Sequence, residues 1–245
     1  MTSTTANNGR LGNQIIRNLA VSFIASKHDL YVDYCSMNLI SEQLGIFLHN
    51  GKHVYNDAVI LNDDNFFTIL NASSFLHNLD PNRSYFQTRE ISQLIHSYLH
   101  RDDIKNNILT KNPYQNRYSK NNDLFIHVRL DDAAQWNPGI QYYLSAISKI
   151  NFDKIYISSD DVNHDLIHQI IHKYPNSTII TYDEINTIQF ASTCKNIILS
   201  HGSFSATIGN LAFFSNIFYP KIVEENKRWC GDMFSIDGWT KIEDF

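Results

Sequence analysis

From about Asp123 onward, short apolar runs rich in β-branched residues alternate with stretches whose apolar residues recur at helical spacing. That alternation predicts βαβ units closing a parallel sheet. Strands are expected at Leu124–Val128, Lys154–Ser158, Thr178–Tyr182, Asn196–Ser200 and Asn216–Tyr219, and their largely apolar character fits strands covered on both faces. Helices are expected between them. The first opens near Pro138 and carries Tyr142, Tyr143, Ala146, Ile147 and Ile150 on one stripe; Val162–Tyr174, Ile185–Cys194 and Ser203–Phe214 follow.

The N-terminal half is less regular. Leu11, Ile15, Leu19 and Phe23 give Leu11–Ser26 a helical stripe, and the strand-like Leu30–Tyr34 follows, which together suggest a βαβ unit with a weak, polar first strand. Two more helices are expected near Ser92–Leu99 and Asp102–Leu109. The polar segment Lys111–Asn122, with Pro113 and many Asn, Tyr and Lys residues, reads as a boundary between domains spanning 1–118 and 119–245. There is no internal repeat.

Composition narrows the classes of function. With 245 residues, 43% of them hydrophobic, the chain can bury a sizeable core. Its 20 basic and 25 acidic residues are scattered and sum to −5, so no basic block offers a footprint for a phosphate backbone, and nucleic acid is not an expected partner. Cys35, Cys194 and Cys230 form no CxxC pair and no metal-ligand spacing, which fits a reducing compartment and thiols in or near the core. The polar start, Met1 to Asn8, lacks a signal-peptide stretch, and no run approaches the roughly 20 apolar residues that span a bilayer. A soluble, cytoplasmic protein is the expectation.

Four segments could carry chemistry. Asn8-Gly9-Arg10-Leu11-Gly12-Asn13-Gln14 opens a helix, where glycines permit a tight turn with backbone N–H groups facing a ligand; a plain helix cap fits it equally. At the end of the Leu124–Val128 strand, alternation places His127 and Arg129 on one face, at the carboxyl edge where parallel sheets bind ligands. Arg129 offers a fork of donors for phosphate oxygens, although an ion pair with Asp131 or Asp132 would satisfy it as well. Ser158-Ser159-Asp160-Asp161 and Ser200-His201-Gly202-Ser203-Phe204-Ser205 follow two further strands, and both belong to loops on that same edge. Singly, each loop reads as a helix cap; together with the arginine they favour an anionic, nucleotide-like ligand.

Metal and hydrolase chemistry find little support in the sequence. The eleven histidines form no HExxH, no Asp-x-Asp of the metal-dependent sugar-nucleotide type occurs, and there is no GxSxG elbow around Ser203. No bound metal and no cofactor is expected.

At these residues the chain resembles the α-1,2-fucosyltransferases of glycosyltransferase family 11, and more distantly the protein O-fucosyltransferases and α-1,6-fucosyltransferases. Gly9-Arg10-Leu11-Gly12-Asn13-Gln14 is similar to the family's Gly-Gly-Leu-Gly-Asn-Gln turn, and Tyr85-Phe86-Gln87 to its Gly-Tyr-Phe-Gln element. His127-Val128-Arg129 matches the start of His-Val-Arg-Arg-Gly-Asp. Tyr142-Tyr143 with Ala146-Ile147 matches the next helix, Ser158-Ser159-Asp160-Asp161 resembles Phe-Ser-Asp-Asp, and Ser203-Phe204-Ser205 matches a Ser-Phe-Ser motif. Tyr219-Pro220-Lys221 and Trp239-Thr240-Lys241-Ile242 resemble the closing segments. Each landmark is short; their order over nearly the whole chain is what makes the resemblance specific.

The resemblance implies an α/β fold of the GT-B kind, in which two Rossmann-like domains face each other across a cleft, and an inverting, metal-independent transfer of fucose from GDP-fucose to a glycan hydroxyl. Arg129 would hold the diphosphate and His127 would shape its pocket. Ser203, Phe204 and Ser205 would contact phosphate or nucleotide, Ser159 with Asp160 and Asp161 the nucleoside end, and Gly12 and Asn13 would face the cleft from the acceptor side. Asp131 and Asp132 are candidate bases. Leu130 stands in place of the family's second arginine, Asp131 in place of its glycine, and Ala206-Thr207 in place of paired tryptophans. Another donor, such as UDP-xylose or a different GDP-sugar, therefore stays open, as does a non-catalytic protein that binds sugar nucleotides or glycans.

Overall fold

The computed structural model describes residues 2–221 and 231–244, so Cys230 lies outside the described residues. The chain divides into two compact units, Met1–Lys111 and Asn112–Phe245.

The first unit begins with β1 (Ser3–Thr4), α1 (Leu11–His28) and β2 (Val32–Asp33), and β1 pairs in parallel with β2. This is the βαβ unit expected from the pattern, and its first strand is indeed short and polar. Burial of Leu11, Ile15, Leu19, Val21 and Ile24 holds α1, and its end is set by Asp29, which turns left-handed (φ 52°) and returns its N–H to the Ala25 carbonyl. Next come a π-helical turn over Asn38–Gln43, β3 (Ala58–Ile60), α2 (Phe66–Leu70) and β4 (Asn78–Asp80), with β3 and β4 paired in parallel. Helices α3 (Arg89–Leu99) and α4 (Asp102–Lys111) complete the unit where helices are expected.

The second unit takes in the polar segment that reads as a boundary in the sequence. Asn112 Nδ2 donates to the Gln189 carbonyl at 2.8 Å, and Arg117 pairs with Asp123 at 2.8 Å while its guanidinium lies 4.5 Å from the Phe190 ring centre. These bonds fasten 112–123 beneath the sheet's first strand. The strands and helices alternate as β5 (Leu124–Val128), α5 (Ile140–Ser148), β6 (Ile155–Ser159), α6 (Asp165–Lys173), β7 (Thr178–Ile179), α7 (Glu184–Ala191), β8 (Asn196–Ile198), α8 (Ser203–Leu211), β9 (Asn216–Pro220) and β10 (Thr240–Ile242).

All six strands are parallel, in the order β10-β9-β8-β5-β6-β7. The chain builds outward from β5 to β7, then restarts at β8 on the other side of β5 and builds outward again. That order is the doubly wound one, with its switch point between β5 and β8. Every residue of β5 is buried, and Leu124, Ile126 and Val128 share a core with Tyr142, Tyr143, Ala146 and Ile147 of α5 and Leu166, Ile167 and Ile170 of α6. β7 is shorter than its apolar run suggests, because an edge strand pairs on one side only and both its residues stay exposed. Among the described residues, no helix is long and apolar enough to cross a membrane.

Candidate functional site

A doubly wound sheet opens a crevice where neighbouring strands send their connections to opposite sides, here above the carboxyl ends of β5 and β8. β5 delivers His127 and Arg129 to this place, and β8 delivers Ser200, His201 and the start of α8. The two strand ends are joined by side chains. His127 Nδ1 lies 2.6 Å from Ser205 Oγ, and the Ser200 N–H donates to that same oxygen at 3.1 Å. The Phe204 ring leans against the His127 ring, with centres 5.3 Å apart.

Both histidines of the crevice are held neutral. Burial, and secondarily the neighbouring His201, push His127 down to about 3; burial pushes His201 down to about 4, against the opposing pull of the Ala133 backbone and of the Asp160 and Asp132 carboxylates. A polar chain supports them from α5. Asn137 Nδ2 donates to the Arg129 carbonyl at 2.8 Å and to the Tyr143 hydroxyl at 3.0 Å; Tyr143 donates to Ser200 Oγ at 3.0 Å, and Ser200 Oγ lies 3.3 Å from His201 Nδ1. Tyr142 donates to the Leu199 carbonyl at 2.6 Å. Sequence reasoning takes the two tyrosines as apolar stripe and passes over Asn137; only the Asn-Pro-Gly turn before the helix hints at it.

Arg129 is nearly covered, and its guanidinium makes ion pairs with Asp160 and Asp132. Asp160 also accepts the Leu130 N–H at 2.7 Å, which fixes the backbone just past the arginine. The ion pair weighed from the sequence is thus present with Asp132, and the β6 loop adds a second carboxylate that spacing alone does not reveal. Asp131, which occupies the place of the resembled family's glycine, adopts a left-handed φ of 36°. Carboxylate oxygens of Asp131, Asp132 and Asp160 lie within 4.8 Å of one another, an all-oxygen set of the kind that suits a hard divalent cation. No Asp-x-Asp announces it, because one member comes from another loop.

The other expected residues are used locally. Ser159 Oγ accepts the Asp161 N–H and donates to the Asp161 carbonyl, both at 3.1 Å, while Asp161 Oδ1 accepts from the Asn163 N–H at 3.0 Å, so these two side chains stabilise their own turn. α8 opens at Gly202 (φ 92°) with no side-chain cap, and Ser203 sits in its first turn. Ser205 is wholly buried, its oxygen shared by His127 and Ser200.

Gly12 and Asn13 belong to the first unit. There, Asn13 Oδ1 accepts from Gln87 Nε2 at 2.9 Å, and the buried Arg17 donates to the carbonyls of Ala6, Asn8 and Ser84 while lying 5.5 Å from the Tyr85 ring centre. Two segments more than seventy residues apart, both carrying the resemblance, therefore meet at the start of α1. Gly9 is required at that turn: its φ is 80°, and a Cβ would come within 2.6 Å of Asn13 Nδ2.

No protein-family model matches this chain, and no curated protein matches it. Among solved structures it aligns with the crystal structure of NodZ α-1,6-fucosyltransferase soaked with GDP-fucose, at 14% identity and a TM-score of 0.30, over 45% of this chain and 42% of that one. The chain thus spans less than half of that protein, and a likeness this loose transfers neither its fold nor its activity.

Proposed function

We propose that the chain is a glycosyltransferase of the GT-B kind, in which the second unit binds a nucleoside diphosphate sugar, GDP-fucose in the first instance, and the first unit serves the glycan acceptor. The observation that supports this reading most is that Arg129 follows β5 and the start of α8, which has no side-chain cap, follows the neighbouring β8, on the two sides of the switch point. A guanidinium fork and a helix N-terminus are the two commonest protein devices for holding phosphate. The ordered landmarks of the fucosyltransferase resemblance fall on those same residues.

In the proposed reaction the acceptor hydroxyl attacks the anomeric carbon from the face opposite the diphosphate. The new glycosidic bond forms as the bond from that carbon to the phosphate oxygen breaks. Arg129 and the first N–H groups of α8 stabilise the departing charge, without a metal, and the acceptor proton passes to a carboxylate for which Asp131 and Asp132 are the candidates. To reach phosphate, Arg129 exchanges at least one of its two carboxylate partners for the ligand.

A panel of GDP, UDP, CDP, GDP-fucose and UDP-sugars tests this by thermal shift, with and without Mg²⁺. At a hundred times Kd, a ligand of the native state adds about 2.7 kcal/mol of stability, which is easily read as a rise in Tm. GDP and GDP-fucose are expected to raise Tm for the wild type and not for Arg129→Ala. A response to UDP alone changes the donor and keeps the site; no response to any nucleotide from folded protein overturns the proposal. A second reading, a sugar-nucleotide binder without turnover, draws on the engagement of Arg129 by Asp132 and Asp160. It predicts the same thermal shift with no release of free nucleoside diphosphate.

A further inference from the structure

We propose that Ser205 is a positioning residue that fixes the tautomer of His127, so that His127 presents an Nε2–H donor to an acceptor oxygen of the ligand bound at the β5–β8 crevice. The inference rests on the site proposed above for the nature of that ligand, a nucleoside diphosphate, but its first step stands on hydrogen-bond accounting within the protein.

A serine hydroxyl carries one proton and two lone pairs. One lone pair of Ser205 accepts the Ser200 N–H at 3.1 Å, and His127 Nδ1 lies 2.6 Å away. Ser205 is 0% exposed, so bulk solvent does not reach its proton, and no other acceptor for it is bonded among the described residues. Were Nδ1 protonated, donor would face donor or the serine proton would be stranded in the interior, the arrangement that buried polar groups avoid. The hydroxyl therefore donates to Nδ1, and the ring proton sits on Nε2.

Among the described residues no hydrogen bond takes up Nε2, and His127 as a whole is 4% exposed. It is thus a donor of fixed direction on the strand whose next residue but one is Arg129, and it is neutral, since burial keeps the imidazole uncharged at physiological pH. The Phe204 ring against the imidazole limits its rotation. Ser205, two residues into a helix whose first turn faces the crevice, acts on a ligand only through this histidine.

Long-range ¹H–¹⁵N spectra of imidazole nitrogens distinguish the two neutral tautomers, and His127→Gln identifies the signal among the eleven histidines. In the ligand-free wild type, His127 is expected as the pure Nε2–H form between pH 6 and 8. Ser205→Ala is expected to give a mixture of tautomers with a weakened GDP affinity, about three- to tenfold, as for one lost oriented hydrogen bond. Ser205→Thr, which keeps the hydroxyl, is expected to keep both the Nε2–H spectrum and the affinity. An Nδ1–H signal in the wild type overturns the proposal, as does an unchanged pure Nε2–H signal in Ser205→Ala. If Ser205→Ala does not fold, the wild-type and Ser205→Thr spectra still decide the tautomer. A pure Nε2–H signal that Ser205→Ala disperses, in a protein that binds no nucleotide, leaves Ser205 as the tautomer-setting residue and overturns the ligand instead.

Discussion

At Asp131 the backbone makes a demand on the side chain. Its φ of 36° falls in the left-handed region, open to glycine, tolerable for Asp and Asn, and strained for a β-branched residue. Asp131→Val is therefore expected to be less stable than Asp131→Gly by about 1–2 kcal/mol, read from urea midpoints at equal m-values. Equal midpoints would mean that the turn relaxes at no cost. The sequence alone marks Arg129 and His127 as candidates because alternation puts both on one face at the carboxyl end of a parallel strand, where such sheets bind ligands. It does not mark Asp160 as the partner of Arg129, because that pair is made by the parallel register of β5 and β6, 31 residues apart, and not by any local pattern. Tyr143 and Asn137 escape notice for a different reason: in a sequence a tyrosine ring reads as core, and only the structure shows that its hydroxyl links Asn137 to Ser200.

Among the elements, α8 carries a tight packing constraint. Gly209 lies inside this helix, where alanine would ordinarily be favoured by about 1 kcal/mol, yet a Cβ there would sit 2.5 Å from Trp239 Cη2 and 3.0 Å from Leu199 Cδ1. Overlap with a rigid indole outweighs the propensity gain, so Gly209→Ala is expected to lose about 1–3 kcal/mol in denaturant unfolding, and Gly209→Ala with Trp239→Leu to recover most of it. A stabilised single variant would show that the closing segment yields. The helices and most strands of the second unit are legible because a parallel strand covered on both faces must be a continuous apolar run. β3, β4 and β10 are not: they are as short as β8 but, unlike it, are not buried throughout, so they leave no continuous apolar run in the sequence.

For the whole molecule, the two neutral histidines tie stability to pH. His127 and His201 titrate near 3 and 4 in the folded chain and near 6.5 when unfolded. Between those values the unfolded chain binds more protons, so stability is complete above about pH 6.5 and falls as the pH drops towards 4. From pH 7 to pH 5 each histidine costs about 2 kcal/mol, and His127→Gln is expected to flatten the dependence measured by urea unfolding at the two pH values. An identical slope in the variant would remove His127 from that account.

The grip of Asp132 and Asp160 on Arg129 has a consequence for anything that enters the crevice. Two carboxylates pair with one guanidinium and a third, Asp131, lies close to both, so the folded edge carries an excess of negative charge before a ligand arrives. A diphosphate adds more. Its entry is therefore an exchange and not a simple addition: the carboxylates must swing outward or share a cation with the newcomer. Such a crevice behaves as a small ion exchanger, loaded with its own anions at rest and selective for a ligand that brings enough counter-charge to displace them.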